Sequence, residues 1–108
     1  MSIDESYEVI FADECIKEID KVYEYIKKNL YAKDAAKKLM NKIEKLTNNL
    51  AFTPKMYVEI ERYKETKRVY RRIIIDSYVL LYTIDEKKKQ VYVAHMYYSG
   101  MDYLSNIF

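Results

Sequence analysis

The arginines are the first residues whose type and spacing indicate chemistry. The chain has 19 lysines and arginines, and its four arginines all lie between positions 62 and 72. A guanidinium is planar and binds a phosphate or a carboxylate through two donors at once, which a lysine cannot do. The sequence therefore predicts a binding site for RNA phosphate, a target protein or an acidic partner, formed by Lys64, Lys67, Arg68, Arg71 and Arg72. The alternative is a solvated cationic strand paired with nearby glutamates.

A second set of residues could support RNA cleavage without a metal. Such cleavage needs a base for the ribose 2′-OH, an acid for the leaving oxygen, and cations around the phosphate. If the protein is a nuclease, the catalytic candidates are Arg68, Arg72, His95 and Tyr98. His95 is the only histidine, and histidine exchanges protons near neutral pH. Both His95 and Tyr98 also have a structural interpretation, as a strand residue and as one of 13 tyrosines that pack in the fold.

Composition argues against several other kinds of site. One histidine and one cysteine offer no metal-ligand spacing, and a single glycine cannot form a phosphate-binding loop. We therefore expect no metal and no cofactor. Cys15 cannot form an internal disulfide, and we interpret it as a packed side chain. No apolar run approaches the roughly 20 residues that span a bilayer, and the N-terminus does not resemble a secretory signal, so we expect a cytoplasmic protein with no membrane partner.

Length and charge predict one compact unit. The 108 residues, half of them hydrophobic and a third charged, are typical of a single globular domain over residues 1–108. The net charge of +2 is too small to indicate a polyanion-binding protein by itself.

Apolar periodicity predicts a short strand followed by two helices. Residues 6–11 alternate as a strand, and Asp13 is a candidate N-cap for the first helix. Its buried stripe is predicted to be Ile16, Ile19, Tyr23, Ile26 and Leu30. A break at residues 29–33 separates it from a second helix over residues 34–49, which Pro54 ends. The second stripe is Ala36, Leu39, Ile43, Leu46 and Leu50.

The second half of the chain predicts three strands. Residues 56–66 are interpreted as a loop or weak strand, and strands follow over residues 68–75, 78–84 and 90–97. Asp102 is a candidate cap for a last short helix. The order β-α-α-β-β-β-α predicts an α+β fold, an antiparallel sheet with a helical hairpin packed on one face and the other face more open. Strand alternation places Arg68, Tyr70 and Arg72 on that open face, opposite to Arg71.

This order of elements and several short motifs resemble the RelE/ParE superfamily of toxins. The resemblance extends from Tyr7 to Phe108. Its motifs are the Tyr7-Glu8-Val9 start, the hairpin ending in Leu50 and Pro54, the set Tyr78, Tyr82 and Asp85, the run Val91-Tyr92-Val93, and Tyr98 with Asp102-Tyr103. The resemblance implies the toxin of a bacterial type II toxin–antitoxin system, which arrests growth and is silenced by a small cognate antitoxin.

The superfamily has two mechanisms, and whether this chain is an enzyme depends on which one applies. RelE-like members cut mRNA in the ribosome, whereas ParE-like members inhibit DNA gyrase. RelE-like enzymes often begin their third strand with Tyr-Arg, whereas this chain has Tyr78-Val79. They also often have basic residues before the Asp of their C-terminal motif, whereas this chain has Ser99-Gly100-Met101 before Asp102. We therefore expect gyrase inhibition. The alternatives are a metal-independent, ribosome-dependent endoribonuclease and a degenerate toxin that retains only antitoxin binding.

Overall fold

The computed structural model describes residues 6–29, 31–60 and 68–100. The elements are β1 (Glu8–Phe11), α1 (Asp13–Glu24), α2 (Lys33–Asn49), β2 (Arg71–Ile75), β3 (Tyr78–Asp85) and β4 (Gln90–Tyr98). This confirms the predicted α+β fold and the order of its first six elements. The predicted helix that begins at Asp102 lies outside the described residues.

The four strands form one sheet in the order β1-β4-β3-β2. The last three strands form the predicted antiparallel meander. However, β1 pairs with β4 in parallel, so the sheet is mixed and not wholly antiparallel as predicted. Parallel neighbours need a long connection between them, and here the helices and the other two strands together provide it.

Helix α1 begins directly from the sheet. The prediction that Asp13 is the N-cap is wrong. Ala12 occupies that position, and no side chain caps the helix. The Ala12 N–H instead donates to the Val93 carbonyl at 2.9 Å, so the helix starts where β1 leaves β4. Asp13 and Glu14 lie in the first turn, where the helix dipole favours acidic side chains.

The buried side of α1 differs from the predicted stripe by part of a turn. Ile16 is 45% exposed, whereas Cys15 is fully buried in the main core with Ile26. Burial, followed by the nearby charge of Glu18, raises the pKa of the Cys15 thiol to about 12, which agrees with a packed side chain. The helix continues into a π-helical segment, Tyr25–Asn29, and Leu30 of the predicted stripe lies outside the described residues.

Helix α2 has the predicted stripe. Its apolar residues Ala36, Leu39, Ile43 and Leu50 are buried, and Leu46 is half-buried against the same core. The helix ends at Asn49, before Pro54, because backbone bonds from Leu50, Ala51 and Phe52 to carbonyls three residues back tighten the last turn. Pro54 therefore does not end the helix.

The helices cover one face of the sheet, and the opposite face, which we call the second face, is closed at its centre. Tyr70, Val79, Leu81 and Ala94 form a separate buried cluster there, with Ile60 and Tyr97 packed against it. The prediction of a more open face is therefore wrong at the centre of the sheet. Arg68 and Arg72 are exposed, as the alternation predicted.

Strand β4 contains one extra residue. Leu81 pairs with His95 but Tyr82 pairs with Val93, which leaves Ala94 as a bulge. A bulge reverses the alternation beyond it, because two residues of one strand oppose one residue of the other. Val91 and Val93 therefore face the main core before the bulge, and Met96 faces it afterwards.

Two side chains of the sheet hold the segment that leads from α2 to β2. The Tyr82 hydroxyl donates to the Pro54 carbonyl at 2.6 Å, in a buried position. Arg71 donates to the carbonyls of Lys55 and Tyr57, at 3.1 and 2.7 Å. The segment then runs along the start of β2, where Ile60 N–H donates to the Tyr70 carbonyl. In residues 56–60, the described part of the predicted loop or weak strand, Glu59 forms an isolated bridge with Arg71; residues 61–66 lie outside the described residues.

The Tyr82 hydroxyl gives a test of this connection. Tyr82→Phe should lower the free energy of unfolding by about 1–3 kcal/mol, because it leaves the buried Pro54 carbonyl without its donor. Tyr92→Phe, on the exposed part of β4, is the matched control and should change stability by less than about 0.5 kcal/mol. Urea denaturation of the three proteins measures both effects, and equal stability of the two variants would contradict this role of Tyr82.

Candidate functional site

Arg71 has a structural role in this fold. Its side chain is only 15% exposed and lies on the helix-covered face beside Tyr82. Besides the two carbonyls that it binds, its guanidinium donates to Glu59 at 3.0 Å. Its donors are therefore directed at the chain's own backbone and at one carboxylate. The structure separates Arg71 from the other arginines of the predicted site.

Arg72 and His95 share a row on the second face. Arg72 pairs with Leu81, and Leu81 pairs with His95, so the two residues lie two strand spacings apart, about 10 Å. Arg68 is exposed ahead of β2. Arg68 and Arg72 each have an interaction within the protein, so neither is an isolated charge.

His95 is oriented by a carboxylate that sequence reasoning missed. The Glu18 carboxylate lies 3.3 Å from His95 Nδ1 and accepts a hydrogen bond from the Met96 N–H at 3.0 Å. Glu18 thus occupies the edge of β4 beyond the end of β1. In the tautomer that donates from Nδ1 to Glu18, the other ring nitrogen, Nε2, would be the one that faces a ligand. No local pattern in the sequence signals this contact, because the two residues are 77 positions apart.

Tyr97, and not Tyr98, accompanies His95. The Tyr97 ring stacks on the imidazole, with ring centroids 5.1 Å apart and an interplanar angle of 16°. Tyr98 instead contacts Tyr78 edge to face at 6.1 Å, and Tyr78 packs against the main core. Burial, followed by the charge of Glu18, raises the pKa of Tyr97 to about 12. The Tyr97 hydroxyl therefore stays protonated at neutral pH and can act as a donor.

The other two predicted binding residues, and the motif positions where RelE-like enzymes often have basic residues, remain to be located. Lys64 and Lys67 lie outside the described residues, as do Met101 and Asp102. Val79 is 1% exposed, in the centre of the buried cluster on the second face, and Ser99 and Gly100 are exposed. Of the four catalytic candidates, the structure therefore places Arg72 and His95 in one row, Arg68 near the start of β2, and Tyr98 on the other side of the sheet.

The described parts of the chain contain no group of three or more histidine, cysteine or acidic side chains placed to hold a metal ion. Among the same residues, no helix is both long and apolar enough to cross a membrane.

Two solved structures have a similar fold. A chain of the chromosomal ParDE TA system from P. aeruginosa superimposes with a TM-score of 0.67 at 11% identity, covering 88% of this chain and 98% of that chain. A chain of the archaeal RelE-RelB complex from Pyrococcus horikoshii OT3 gives a TM-score of 0.64 at 13% identity, covering 88% of this chain and 97% of that chain. At such identities the likeness concerns the fold alone.

Sequence comparison with protein families identifies the group to which the chain belongs. Among curated proteins, none matches it significantly in sequence. The model of the family described as "ParE toxin of type II toxin-antitoxin system, parDE" matches residues 9–103, which is most of the chain. This match confirms the resemblance that the motifs indicated. The chain is a member of the ParE toxin family of type II toxin–antitoxin systems.

Proposed function

We propose that this protein arrests bacterial growth by inhibiting DNA gyrase, without cutting RNA, and that a small cognate antitoxin silences it. The observation that carries the proposal is the buried position of Val79. RelE-like enzymes often have a basic residue at this place in the third strand, whereas here it is 1% exposed within an apolar cluster. Since RNA cleavage depends on cations around the phosphate, an apolar centre on this face favours a non-nucleolytic mechanism.

The positions of the other candidates support the same conclusion. Arg71 binds the backbone at Lys55 and Tyr57, and Tyr98 lies on the other side of the sheet from His95. Among the described candidates, the buried Leu81 separates Arg72 from His95 and Tyr97, and Arg68 lies ahead of β2. Both similar solved structures are toxin–antitoxin systems by their descriptions, which supports an antitoxin as the partner.

RelE-like mRNA cleavage is the second candidate, and one observation favours it. Glu18 orients the His95 imidazole, as a carboxylate does for many catalytic histidines, and Tyr97 lies beside it as a donor. These groups could serve as base and acid if an RNA bound across the second face.

The two mechanisms predict opposite results with purified components. We expect the protein to inhibit the supercoiling reaction of gyrase and to leave ribosome-bound mRNA intact. In cells, DNA-damage signalling should precede any loss of mRNA, and co-expression of the antitoxin should restore growth. Cleavage of mRNA on ribosomes, with gyrase unaffected, would establish the second candidate. Normal growth at high expression of folded protein would leave only antitoxin binding.

His95 gives a genetic test of the same choice. His95→Ala should retain growth arrest and gyrase inhibition, because a non-nucleolytic toxin needs no proton transfer. In a nuclease, removing the general base should lower the cleavage rate by about 100- to 10,000-fold. Thermal denaturation must first show that the variant folds, since His95 contacts Glu18. Loss of both mRNA cleavage and growth arrest in a stably folded His95→Ala protein is the result that would contradict the proposal.

Arg68 and Arg72 are proposed to contact the target or the antitoxin from the second face. Replacing both with Ala should weaken that contact by about 1.5–3 kcal/mol for each charge-assisted hydrogen bond that is lost. Arg71→Ala is the matched comparison, and it should mainly destabilise the fold because its guanidinium holds residues 55–59. Binding is measured by calorimetry against antitoxin and gyrase. Unaltered binding and toxicity in the double variant would remove these arginines from the site.

A further inference from the structure

Two depressions flank an ion pair at one end of the sheet. Lys55 Nζ lies 3.2 Å from the Glu86 carboxylate, which also accepts a hydrogen bond from the Tyr7 hydroxyl at 2.9 Å. These two donors hold the pKa of Glu86 below its usual range. The contacts join the turn after α2 to the β3–β4 turn. The depressions on either side are thereby parts of one connected surface, which we call the turn surface.

The first depression combines exposed apolar side chains with lysines. It has a volume of about 530 Å³ and is lined by Tyr7, Phe52, Pro54 and Met56, among others. Phe52 is 76% exposed and Met56 is 64% exposed. Lys89 lies 4.8 Å from the centre of the Tyr7 ring, at the rim. Neighbouring large apolar side chains that remain exposed in this way mark a surface that a partner covers.

The second depression is lined by charged side chains, and its carboxylates are paired while two of its lysines are not paired within the described residues. It has a volume of about 720 Å³ and lies between the β3–β4 turn and the start of β2. Its three carboxylates are already bound, since Glu59 accepts from Arg71, Glu86 from Lys55, and Asp85 from the Lys88 N–H. Lys87 and Lys88 also line it, and neither forms an ion pair with any residue in the described ranges.

We propose that the turn surface binds an acidic amphipathic segment of a protein partner. The apolar side of the segment would cover Phe52 and Met56, and its carboxylates would lie against Lys87 and Lys88. Apolar area supplies most of the binding free energy, and the opposite charges select the partner and speed association. This goes beyond the proposed function, because binding here does not depend on whether the toxin acts on gyrase or on mRNA.

A peptide fits this surface better than a nucleic acid does. Each strand of a duplex carries a phosphate for about every 3.4 Å of helix axis, so a nucleic acid bound here would bring phosphates close to Glu59, Asp85 and Glu86. A peptide can place a few carboxylates beside the lysines and apolar side chains elsewhere. The exposed Phe52 and Met56 have no counterpart on a phosphate backbone.

The test uses a defined probe, a fluorescent helical peptide of about 20 residues with Glu on one face and Leu on the other. The intact protein should bind it, and bind the same peptide with Gln in place of Glu more weakly. Lys87→Glu with Lys88→Glu should weaken binding of the Glu peptide by about tenfold or more. The matched control is Lys37→Glu with Lys38→Glu, an adjacent exposed pair on α2 that should leave binding unchanged.

The apolar half is tested in the same way. Phe52→Ser with Met56→Ser should weaken the Glu peptide at least as much, whereas Ile74→Ser, which is exposed on β2, should not. Absence of peptide binding, equal losses in the control variants, or tighter binding of a single-stranded oligonucleotide than of the peptide would each overturn the proposal. Growth arrest is measured separately, so failure of peptide binding is distinguishable from failure of the proposed function.

Discussion

The extra residue in β4 decides which side chains of this protein share a face. Strict alternation from Val91 and Val93 would direct His95 into the main core, where an imidazole would lack a polar partner. The bulge at Ala94 turns His95 to the second face and brings Met96 into the core in its place. It also brings Tyr97 to the second face together with His95, and it sends Tyr98 to the other side of the sheet. Each candidate site at this end of the sheet depends on that reversal.

The edge of β4 near this bulge also contacts α1 and favours its orientation on the sheet. Strand β1 is short, so the edge of β4 beyond it has an N–H group, that of Met96, without a strand partner. The Glu18 carboxylate satisfies this group and thereby orients α1. With Glu18 turned towards β4, Cys15 is buried and Ile16 is left exposed. Leaving the partly buried Met96 N–H without a partner would cost free energy, which favours the orientation of α1 that brings Glu18 to β4.

Three sets of cations among the described residues have different physical roles. Arg71 is used inside the molecule, where its several donors hold a connection that has little regular structure. Arg72 is exposed on the second face beside an apolar centre, and Arg68, exposed ahead of β2, lines the same depression as Lys87 and Lys88. Lys87 and Lys88 lie at the turn surface beside exposed apolar residues. The exposed arginines and the lysines of the turn surface both lie beside apolar side chains, which is typical of a protein that recognises other proteins.

Much of the fold could be predicted from local patterns in the sequence. The apolar spacing of α2, the alternation of β2 and β3 and the two-residue turn at Asp76-Ser77 each depend on neighbours within a few positions. The order of these elements and their short motifs were also enough to indicate the toxin family, which the family comparison confirmed.

Tertiary structure alone decided the rest. The parallel pairing of β1, the bulge at Ala94 and the contact of Glu18 with His95 all join parts of the chain that are far apart in sequence. The sequence shows that the arginines are clustered, but it does not show that Arg71 has a structural role while Arg68 and Arg72 are exposed. That division depends on which backbone carbonyls the fold brings to Arg71, and the two that it binds lie 16 and 14 positions earlier in the chain.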